Sequence, residues 1–502
     1  MKNTLGRNVI EGYKPFISSH EYKNHQRILA KQKSINNEIK FLNSISGVFD
    51  ELNIKENMTL SFHHHLRNGD YVMNMVSEEV LKRDIKNLHY APSSIFPNNA
   101  ILSTLIENKN IVNIDTNYLN GPVAKTINQG KLEGLLIMNS HGGRPRKIES
   151  GELQIDVAFV ACPTVDKKGN GYGAIGSAAC GSLGYSLTEL KYAKKVVLIT
   201  DNLVECLEKY EIDSKYVDYV VVVDKIGDAN GIVSGTTKIT KDPVGLKIAS
   251  LTAKLLDELG LIKDGVSMQT GAGGTSLAVA SYVKDIMIKK GVKGSFASGG
   301  ITSYFVNMAK EGLLEKLMDV QCFDLDAVNS YANNAFHYGM SDSKYANPYD
   351  EPVVNNLDFV ILGATEIDVN FNVNVTTDSY GNIMGGSGGH SDTAHGAKVS
   401  VITTNLIKSR LPIIKKEVTT ITTPGQDIDV LVTERGIAIN PLRKDLLEQL
   451  KDSKLPIKTI EELFETAHKI TGIPTTLKKN DEVVGLVQYR DGTIIDCLYK
   501  VD

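Results

Sequence analysis

Residues 357–404 read LDFVILGATEIDVNFNVNVTTDSYGNIMGGSGGHSDTAHGAKVSVITT, and the predictions of fold and site begin with this stretch. It begins with an apolar run, Leu357–Leu362, which predicts a buried strand. From Ile367 to Val375 apolar and polar residues alternate, which predicts a strand with one buried face and one face free to meet a polar group. Glu366 directly precedes the alternation and has the parity of its polar positions.

A glycine-dense loop follows this strand and contains Gly385, Gly386, Gly388 and Gly389. Glycine lets backbone N–H groups approach a ligand closely. A carboxylate at a strand end beside free N–H groups has the parts needed for covalent chemistry at a carbonyl, a nucleophile and oxyanion donors. The stretch therefore predicts Glu366 as a catalytic carboxylate and the four glycines as oxyanion donors. The alternative is a strand, a turn and a mobile loop with no catalytic role.

The composition bounds the class of protein. The chain has 502 residues, of which 42% are hydrophobic, so two or three domains with large cores are expected. Its net charge is −4, and it shows no basic stripe for nucleic acid. We see no secretory signal and no apolar run that approaches the length of a membrane span. The five cysteines are scattered without metal or redox spacing, so free thiols in a reducing cytoplasm are expected.

The beginning of the chain, residues 1–52, is predicted to be a helical extension packed on the first domain. Within it, apolar residues recur at helical spacing and predict one or two helices over residues 20–52. The members of this stripe are Ile28, Leu29, Ile35, Ile39 and Leu42.

The remainder is predicted to form two α/β lobes, residues 53–235 and residues 236–502. Strand, turn, helix and strand follow one another from Met58, and the same order restarts at Val266, an offset of 266 − 58 = 208 residues. Short apolar strands separated by helices predict largely parallel sheets, and a cleft between two lobes is the default site. A hairpin with its turn at Asp491-Gly492 is predicted to close the chain.

A second glycine motif, Gly271, Gly273 and Gly274, lies between a predicted strand and a long helix. That geometry directs backbone N–H groups and the positive end of a helix towards an anion. No P-loop lysine and no acidic dinucleotide partner accompany the motif. An ordinary strand-to-helix turn is therefore the alternative to a phosphate-binding loop.

Two basic turns in the first lobe are candidate carboxylate sites. His63, His64 and His65 form a run whose neighbours point to opposite sides, so no metal site is predicted there. Polar side chains facing a cleft are expected instead, and Arg67 could bind a ligand carboxylate in a bidentate fork. Arg144 follows two glycines in a similar turn, for which a solvated surface loop is the alternative.

Seven ordered motifs give the chain a resemblance to a known family. From about Leu52 to the end it is similar to citrate lyase alpha subunits, and more distantly it resembles the acetate and butyrate CoA-transferases. The motifs that carry this resemblance are SFHHHLRNGDYVMNMV, NSHGGRPRKIESGELQIDVAFVACPTVDKKGN, CGSLGY, SMQTGAGGTSLAVA, ATEIDVNFNVNV, GGSGGHSDTA and LVTERGIAINP.

The resemblance implies a fold and an activity. The fold would be two open α/β lobes of the CoA-transferase type, with largely parallel sheets. The activity would be that of a citrate CoA-transferase in a cytoplasmic, oligomeric complex: acetyl-carrier plus citrate gives citryl-carrier plus acetate. The partners would be an acyl-carrier γ subunit and a lyase β subunit, which cleaves the citryl-carrier to oxaloacetate and acetyl-carrier. This chain would bind no cofactor or metal of its own and would act on the carrier's phosphoribosyl-dephospho-CoA group.

The resemblance also assigns residues to roles. Glu366 matches the glutamate that carries the acyl group in CoA-transferases, although a free mixed anhydride of acetate and citrate would leave it only an assisting role. The loop from Gly385 to Gly389 would bind the thioester, and the Gly271–Gly274 loop would bind phosphate of the CoA-like group. Arg67, Arg144 and His64 are the candidates for binding citrate carboxylates.

Two other functions remain open at this point. One is a transferase that uses free acetyl-CoA and a simple carboxylate. The other is a two-lobed acyl-CoA sensor without catalytic activity, which would have no need of a nucleophile at Glu366. A neighbouring coding sequence for a small acyl carrier would separate the first from the carrier-dependent enzyme.

Overall fold

A computed structural model describes residues 1–19, 27–35, 38–233, 238–271, 273–474 and 480–501. In these residues two large sheets dominate, one of ten strands and one of nine, and they share no strand. The prediction of two open, largely parallel α/β lobes is therefore confirmed. One cluster of buried apolar side chains runs through both lobes, as expected for parallel sheets covered by helices on both faces.

Residues 40–222 contribute eleven strands to the first lobe: β1 (Lys40–Leu42), β2 (Thr59–Phe62), β3 (Leu88–Pro92), β4 (Ile111–Thr116), β5 (Leu136–Met138), β6 (Val157–Ala161), β7 (Thr164–Asp166), β8 (Gly171–Tyr172), β9 (Lys195–Thr200), β10 (Leu203–Val204) and β11 (Tyr219–Val222). Its helices are α1 (Ile45–Leu52), α2 (Val72–Arg83), α3 (Ile101–Glu107), α4 (Pro122–Asn128), α5 (Gly143–Glu149) and α6 (Leu187–Tyr192).

The second lobe contains strands β12 (Val266–Thr270), β13 (Gly294–Ile301), β14 (Leu314–Cys322), β15 (His337–Gly339), β16 (Phe359–Leu362), β17 (Glu366–Asp368), β18 (Val373–Asn374), β19 (Val399–Thr403), β20 (Ile407–Lys408), β21 (Leu411–Pro412), β22 (Ile414–Lys415), β23 (Val430–Thr433), β24 (Gly436–Ile439) and β25 (Ile457–Lys458). Its helices are α7 (Pro243–Glu258), α8 (Gly274–Lys290), α9 (Ser303–Lys310), α10 (Leu325–Asn333), α11 (Asp342–Ala346), α12 (His390–Gly396), α13 (Lys444–Gln449) and α14 (Ile460–Thr471).

The last two strands, β26 (Val483–Gln488) and β27 (Ile494–Tyr499), form the predicted antiparallel hairpin. The hairpin belongs to the first sheet, because β26 pairs in parallel with β5. The order of the large first sheet is β1-β11-β9-β6-β2-β3-β4-β5-β26-β27, and that of the second is β15-β14-β13-β12-β16-β19-β23-β24-β25. Assigning all of residues 236–502 to the second lobe was therefore wrong for this hairpin.

The internal repeat is confirmed at the level of element order. Strand β2, helix α2 and strand β3 follow one another in the first lobe as β12, α8 and β13 do in the second. In each lobe the two strands are parallel neighbours joined by the helix. The same edge of each sheet therefore carries a strand-to-helix turn, and these turns include Arg67 in the first lobe and Gly271 in the second.

The predicted helices over residues 20–52 are only partly present. Residues 20–26, 36 and 37 lie outside the described residues, and of the rest only α1 is helical. Residues 27–35 are irregular, and Ile28 and Ile35 are exposed. The backbone of this segment bonds to the first lobe, with Ala30 N–H donating to Glu149 O at 2.6 Å. Because its apolar side chains find no surface to cover, helical spacing alone does not produce a helix here.

The alternation after Glu366 is also not one strand. Strands β17 and β18 pair antiparallel, and the turn between them contains Phe371 at a φ of 64°. The Asp368 carboxylate accepts hydrogen bonds from the N–H groups of Asn370 and Asn372 at 2.9 and 3.0 Å. Aspartate forms such turns readily, so a polar residue read as the exposed face of a strand folds the chain back instead. Among the described residues, no helix has the length and apolar character needed to cross a membrane.

Candidate active site between the lobes

The turn after β2 places a cation where the two lobes meet. Arg67 has a φ of 52°, which is uncommon for a residue with a side chain and marks a conformation held by its surroundings. Its guanidinium carbon lies 5.6 Å from the ring centre of Phe96 in the first lobe and 4.9 Å from that of Phe323 in the second. The side chain is thus clamped between an aromatic ring from each lobe.

Among the described residues, no anionic group pairs with the guanidinium of Arg67. Its Nη1 atom is buried and has no hydrogen-bond partner among the described residues. Burial lowers the pKa of Arg67 from its ordinary value, yet an arginine remains charged at any physiological pH. A half-buried cation without an anionic partner is costly unless a ligand neutralises it. The geometry is that of a receptor for a carboxylate.

Neutral histidines lie beside this cation. The rings of His64 and His141 are 5.9 Å apart, and each lies within 4.6 Å of the Tyr185 ring. Burial holds the pKa of His64 well below its usual range and lowers that of His141 to about 3. Ser93 Oγ binds Nδ1 of His64 at 2.6 Å, so Nε2 is the ring atom that a ligand would meet. These imidazoles can donate or accept hydrogen bonds but add no charge at pH 7.

The second lobe reaches this cluster through β14. Gln321 Nε2 donates to the carbonyl oxygen of His64 at 2.8 Å, and Phe323 lies against Arg67. The Tyr345 ring of the second lobe has its centre 6.5 Å from that of His141, and Gln269 Nε2 donates to the Tyr345 hydroxyl at 2.8 Å. Sequence reasoning missed these residues, because only the folded chain brings them to Arg67 or to the histidines beside it.

The glycine loop of residues 385–389 lies at the same seam. The N–H of His141 donates to Gly388 O at 2.7 Å, and the N–H of Gly388 donates to Asn117 O at 3.2 Å. A Cβ on Gly386 would lie 2.3 Å from Asn117 O, so a side chain is excluded there by backbone from the first lobe. The Gly388 N–H already has an acceptor, so it is not a free oxyanion donor in this conformation. Gly385, Gly386 and Gly389 stay predicted as thioester donors.

Asp392, which follows this loop, links the second lobe to the first by hydrogen bonds. The Asp392 carboxylate accepts from Ser140 Oγ at 3.0 Å and from the Gly142 N–H at 2.9 Å, and it lies 3.2 Å from Nε of Arg490. Burial raises the pKa of Asp392 to about 6, and Arg490 opposes that rise. The turn that was predicted to bind a ligand through Arg144 is thus tied to the second lobe by its backbone.

The structure does not support Arg144 as a citrate ligand. Its side chain is fully buried, and Nη2 bonds to the Glu189 carboxylate, to Ser61 Oγ at 3.0 Å and to Ala91 O at 2.6 Å. Glu189 also lies 2.9 Å from Nε2 of His63. A charge pair with no exposed surface is a feature of the folded core. The alternative of a solvated loop was therefore wrong for the Gly142-Gly143-Arg144 turn. Arg144 Nε and Nη1 are buried without a hydrogen-bond partner among the described residues, and its role as a citrate ligand stays a prediction that the ion pair with Glu189 disfavours.

Glu366 lies in the small sheet formed by β18, β17 and β22, away from solvent. Its side chain is 1% exposed, and both carboxylate oxygens accept hydrogen bonds. The donors are Ser379 Oγ at 2.6 Å, Thr419 N at 2.8 Å, Asn374 Nδ2 at 3.0 Å and Thr419 Oγ1 at 3.2 Å. A carboxylate satisfied in this way holds its neighbours in place, and its predicted role at the reacting carbonyl stays a prediction.

The second glycine motif precedes α8, a helix of 17 residues. Chain neighbours and the helix's own backbone aside, no atom of the described residues lies within 4 Å of a Cβ built on Gly273, and the nearest to one on Gly271 is 3.7 Å away. In contrast, a Cβ on Gly274 would lie 2.8 Å from Lys238 O. Thr270 Oγ1, which precedes the loop, is buried without a hydrogen-bond partner among the described residues. Gly271 and Gly273 therefore leave space at the positive end of the helix, as an anion site would.

Comparisons with known proteins identify the family. The family model described as citrate lyase, alpha subunit, matches residues 38–501. The citrate lyase alpha chain of Haemophilus influenzae is 42% identical over 464 residues, which cover 92% of this chain and 93% of that protein. A Streptococcus mutans structure, described as an alpha subunit of citrate lyase in complex with citrate, shares 43% identity and a TM-score of 0.96, with 100% of both chains covered.

A more distant structure shows how far the fold extends. A Pseudomonas malonate decarboxylase hetero-tetramer has a TM-score of 0.64 at 14% identity, covering 88% of this chain and 85% of that one. At this identity the likeness shows a shared fold only. The close relatives, in contrast, match this chain along almost its whole length, and the chain belongs to the family of citrate lyase alpha subunits.

Proposed function

We propose that the chain is the transferase component of a citrate lyase: acetyl-carrier plus citrate gives citryl-carrier plus acetate. Family membership over residues 38–501 supports this activity. The geometric observation that carries it is the buried, unpartnered Nη1 of Arg67 at the seam between the lobes. Citrate presents three carboxylates, of which only one loses its charge during transfer. The others need a cationic receptor in a site shielded from water.

The transfer needs two exchanges at carbonyl carbon. In the first, a citrate carboxylate oxygen attacks the acetyl thioester, the carbon–sulfur bond breaks, and a mixed anhydride and the carrier thiolate form. In the second, that thiolate attacks the citryl carbonyl of the anhydride, and acetate leaves. No net proton transfer is needed, which suits a site whose histidines are neutral. The buried, fully hydrogen-bonded carboxylate of Glu366 favours this route over a glutamyl adduct, and we assign Glu366 to positioning the β17–β18 turn.

Within the site we assign roles by chemistry. Arg67 would bind a carboxylate of citrate that keeps its charge, with His64 Nε2 as a neutral neighbour. The glycine loop of residues 385–389 would approach the thioester with its backbone. The space beside Gly271 and Gly273 would take a phosphate of the carrier's phosphoribosyl-dephospho-CoA group, which belongs to the partner, so the chain itself needs no bound cofactor.

An alpha subunit implies a complex with other subunits. For this chain we propose a small acyl-carrier subunit that delivers the thioester and a lyase subunit that cleaves the citryl thioester. The lobe interface that holds Arg67 is formed within one chain, with Phe96 from the first lobe and Phe323 from the second.

The test is a transfer reaction followed by intact-protein mass spectrometry of the carrier. The purified chain is mixed with acetyl-carrier and citrate, and parallel reactions contain succinate in place of citrate or free acetyl-CoA in place of the carrier. We expect citrate-dependent conversion of acetyl-carrier to citryl-carrier with release of acetate, slower transfer from free acetyl-CoA, and little transfer to succinate. Equal use of succinate and citrate, or no citryl-carrier at all, would refute the proposal.

A further inference from the structure

Three metal-ligating side chains meet in the second lobe, outside the site described above. Asp319 and Cys322 belong to β14, and His337 belongs to the neighbouring strand β15. Asp319 Oδ2 lies 2.9 Å from Cys322 Sγ and 3.0 Å from His337 Nε2, and the three ligand atoms all lie within 4.8 Å of one another. All three residues are buried. We propose that Asp319, Cys322 and His337 bind a structural divalent metal ion of the zinc class.

A bulge in β14 brings Asp319 and Cys322 together. Side chains three positions apart on a regular strand point to opposite faces. Strand β13 pairs Gly299 with Asp319 but Gly300 with Gln321, so Val320 is an extra residue in β14. The extra residue reverses the alternation and turns Cys322 to the face of Asp319. Such bulges re-aim side chains and are found next to functional sites.

The surroundings suit a metal ligand set. Nδ1 of His337 lies 3.1 Å from Ser330 Oγ, an outer contact of the kind that fixes the tautomer of a metal-bound histidine. Oδ1 of Asp319 accepts from the N–H of Gln321 at 2.8 Å, which leaves Oδ2 for the ion. Zinc accepts sulfur, nitrogen and oxygen ligands together, and this set offers one of each.

Charge balance favours a divalent ion. Binding would release the thiol proton of Cys322, and the thiolate and the Asp319 carboxylate would then neutralise an ion of charge +2, with His337 neutral. Cys322 Sγ and His337 Nε2 would each move away from Asp319 Oδ2 by about 0.5 Å to reach the spacing of a tetrahedral zinc site, a change within the reach of side-chain rotation. A buried neutral ion cluster avoids the cost of an unpaired charge.

The site would link the lobes as well as two strands. A Cβ on Gly181 of the first lobe would lie 2.2 Å from Cys322 Sγ, so the first-lobe backbone covers the sulfur. Gln321 and Phe323, on either side of Cys322, contact His64 and Arg67 across the seam. An ion on Cys322 would therefore fix the end of β14 that carries these contacts.

The test uses the full chain, purified under reducing conditions and freed of metal with a chelator. We titrate it with Co²⁺, which reports thiolate ligation through a charge-transfer band, and with Zn²⁺, measured by elemental analysis after gel filtration. We expect one equivalent of either ion per chain. Zinc should raise the midpoint of thermal unfolding of the chelated protein by about 3 °C or more.

Two ligand variants and one matched control locate the ion. Cys322→Ser should lose the charge-transfer band, and His337→Gln should weaken Co²⁺ binding at least tenfold. Cys162→Ser, which replaces another buried thiol, should bind like the wild type. If Cys322→Ser does not fold, the wild-type band alone still decides. A wild-type protein that takes up no Co²⁺ with a thiolate band, or a band that survives in Cys322→Ser, would overturn the proposal.

Discussion

Replacing Arg67 by methionine removes the guanidinium and keeps most of the side-chain volume, so it isolates the proposed receptor charge. A hydrogen bond between charged groups contributes about 1.5–3 kcal/mol. At about 1.4 kcal/mol per factor of ten, the loss corresponds to a rise in KM for citrate of about 10- to 150-fold. Arg67 belongs to the first lobe, whereas the loops proposed to bind the thioester and the phosphate of the carrier belong to the second. KM for the acetyl-carrier should therefore change by less than about threefold.

The same substitution makes a prediction about stability. Methionine relieves the buried, unpartnered Nη1 but gives up the contacts with the rings of Phe96 and Phe323. Each of these effects is on the order of 1 kcal/mol, so the free energy of unfolding should stay within about 1 kcal/mol of the wild-type value. A loss of citrate use should therefore not be accompanied by unfolding.

The assay is steady-state transfer, with citrate varied at fixed acetyl-carrier and the carrier varied at fixed citrate. Arg435→Met is the matched control, since the Arg435 side chain is 59% exposed and distant in sequence from the seam elements. The control should leave both KM values unchanged. An Arg67→Met enzyme with a normal KM for citrate and a raised KM for the carrier would refute the assignment of Arg67 as a citrate ligand.

Three further substitutions test the roles assigned to Arg144, Glu366 and Asp70. Arg144→Met should lower the free energy of unfolding by about 3–5 kcal/mol, measured by urea denaturation, because it removes the guanidinium partner of the buried carboxylate of Glu189, which keeps only His63 and Ser61; an unchanged stability would contradict the ion-pair assignment. Glu366→Gln should lower stability by about 1–3 kcal/mol, because an amide cannot accept from every donor around it; a transfer rate lowered by several decades at wild-type stability would instead support a nucleophile. Burial raises the pKa of Asp70 to about 7, so the folded state keeps a proton that the unfolded state loses, and stability falls as pH rises from about 4 to 7. Asp70→Asn should remove up to about 1.4 kcal/mol of that fall per pH unit, and parallel pH profiles of unfolding would contradict it.

Local patterns predicted the elements of this fold well, and they failed where distant residues decide the outcome. The Asp491-Gly492 turn identifies the last hairpin, because turn chemistry is local. Its membership in the first sheet depends on pairing between β26 and β5, which are separated by more than half the chain. The alternating residues after Glu366 were predicted to form one strand, but the chain turns back after Asp368. The Asp368 carboxylate accepts hydrogen bonds from nearby backbone N–H groups and so stabilises this turn instead of a longer strand.

The candidate site shows the same division. Residue type alone selected both Arg67 and Arg144 as carboxylate ligands. Only the structure separates them, because Glu189 forms an ion pair with Arg144, whereas no anionic group pairs with Arg67 among the described residues. Likewise, Cys322 and His337 are 15 positions apart, and the bulge at Val320 that aims Cys322 at Asp319 has no recognisable sequence signal.

A crystal structure of the chain with bound citrate is the direct test of Arg67 as the citrate receptor. We expect a citrate carboxylate within hydrogen-bond distance, about 3 Å, of the Arg67 guanidinium. It should lie between the Phe96 and Phe323 rings and next to the glycine loop of residues 385–389. Glu189 should remain paired with Arg144 in that complex. Citrate that makes no contact with Arg67 would rule out Arg67 as its receptor. Citrate bound by Arg144, after Arg144 has separated from Glu189, would rule it out as well.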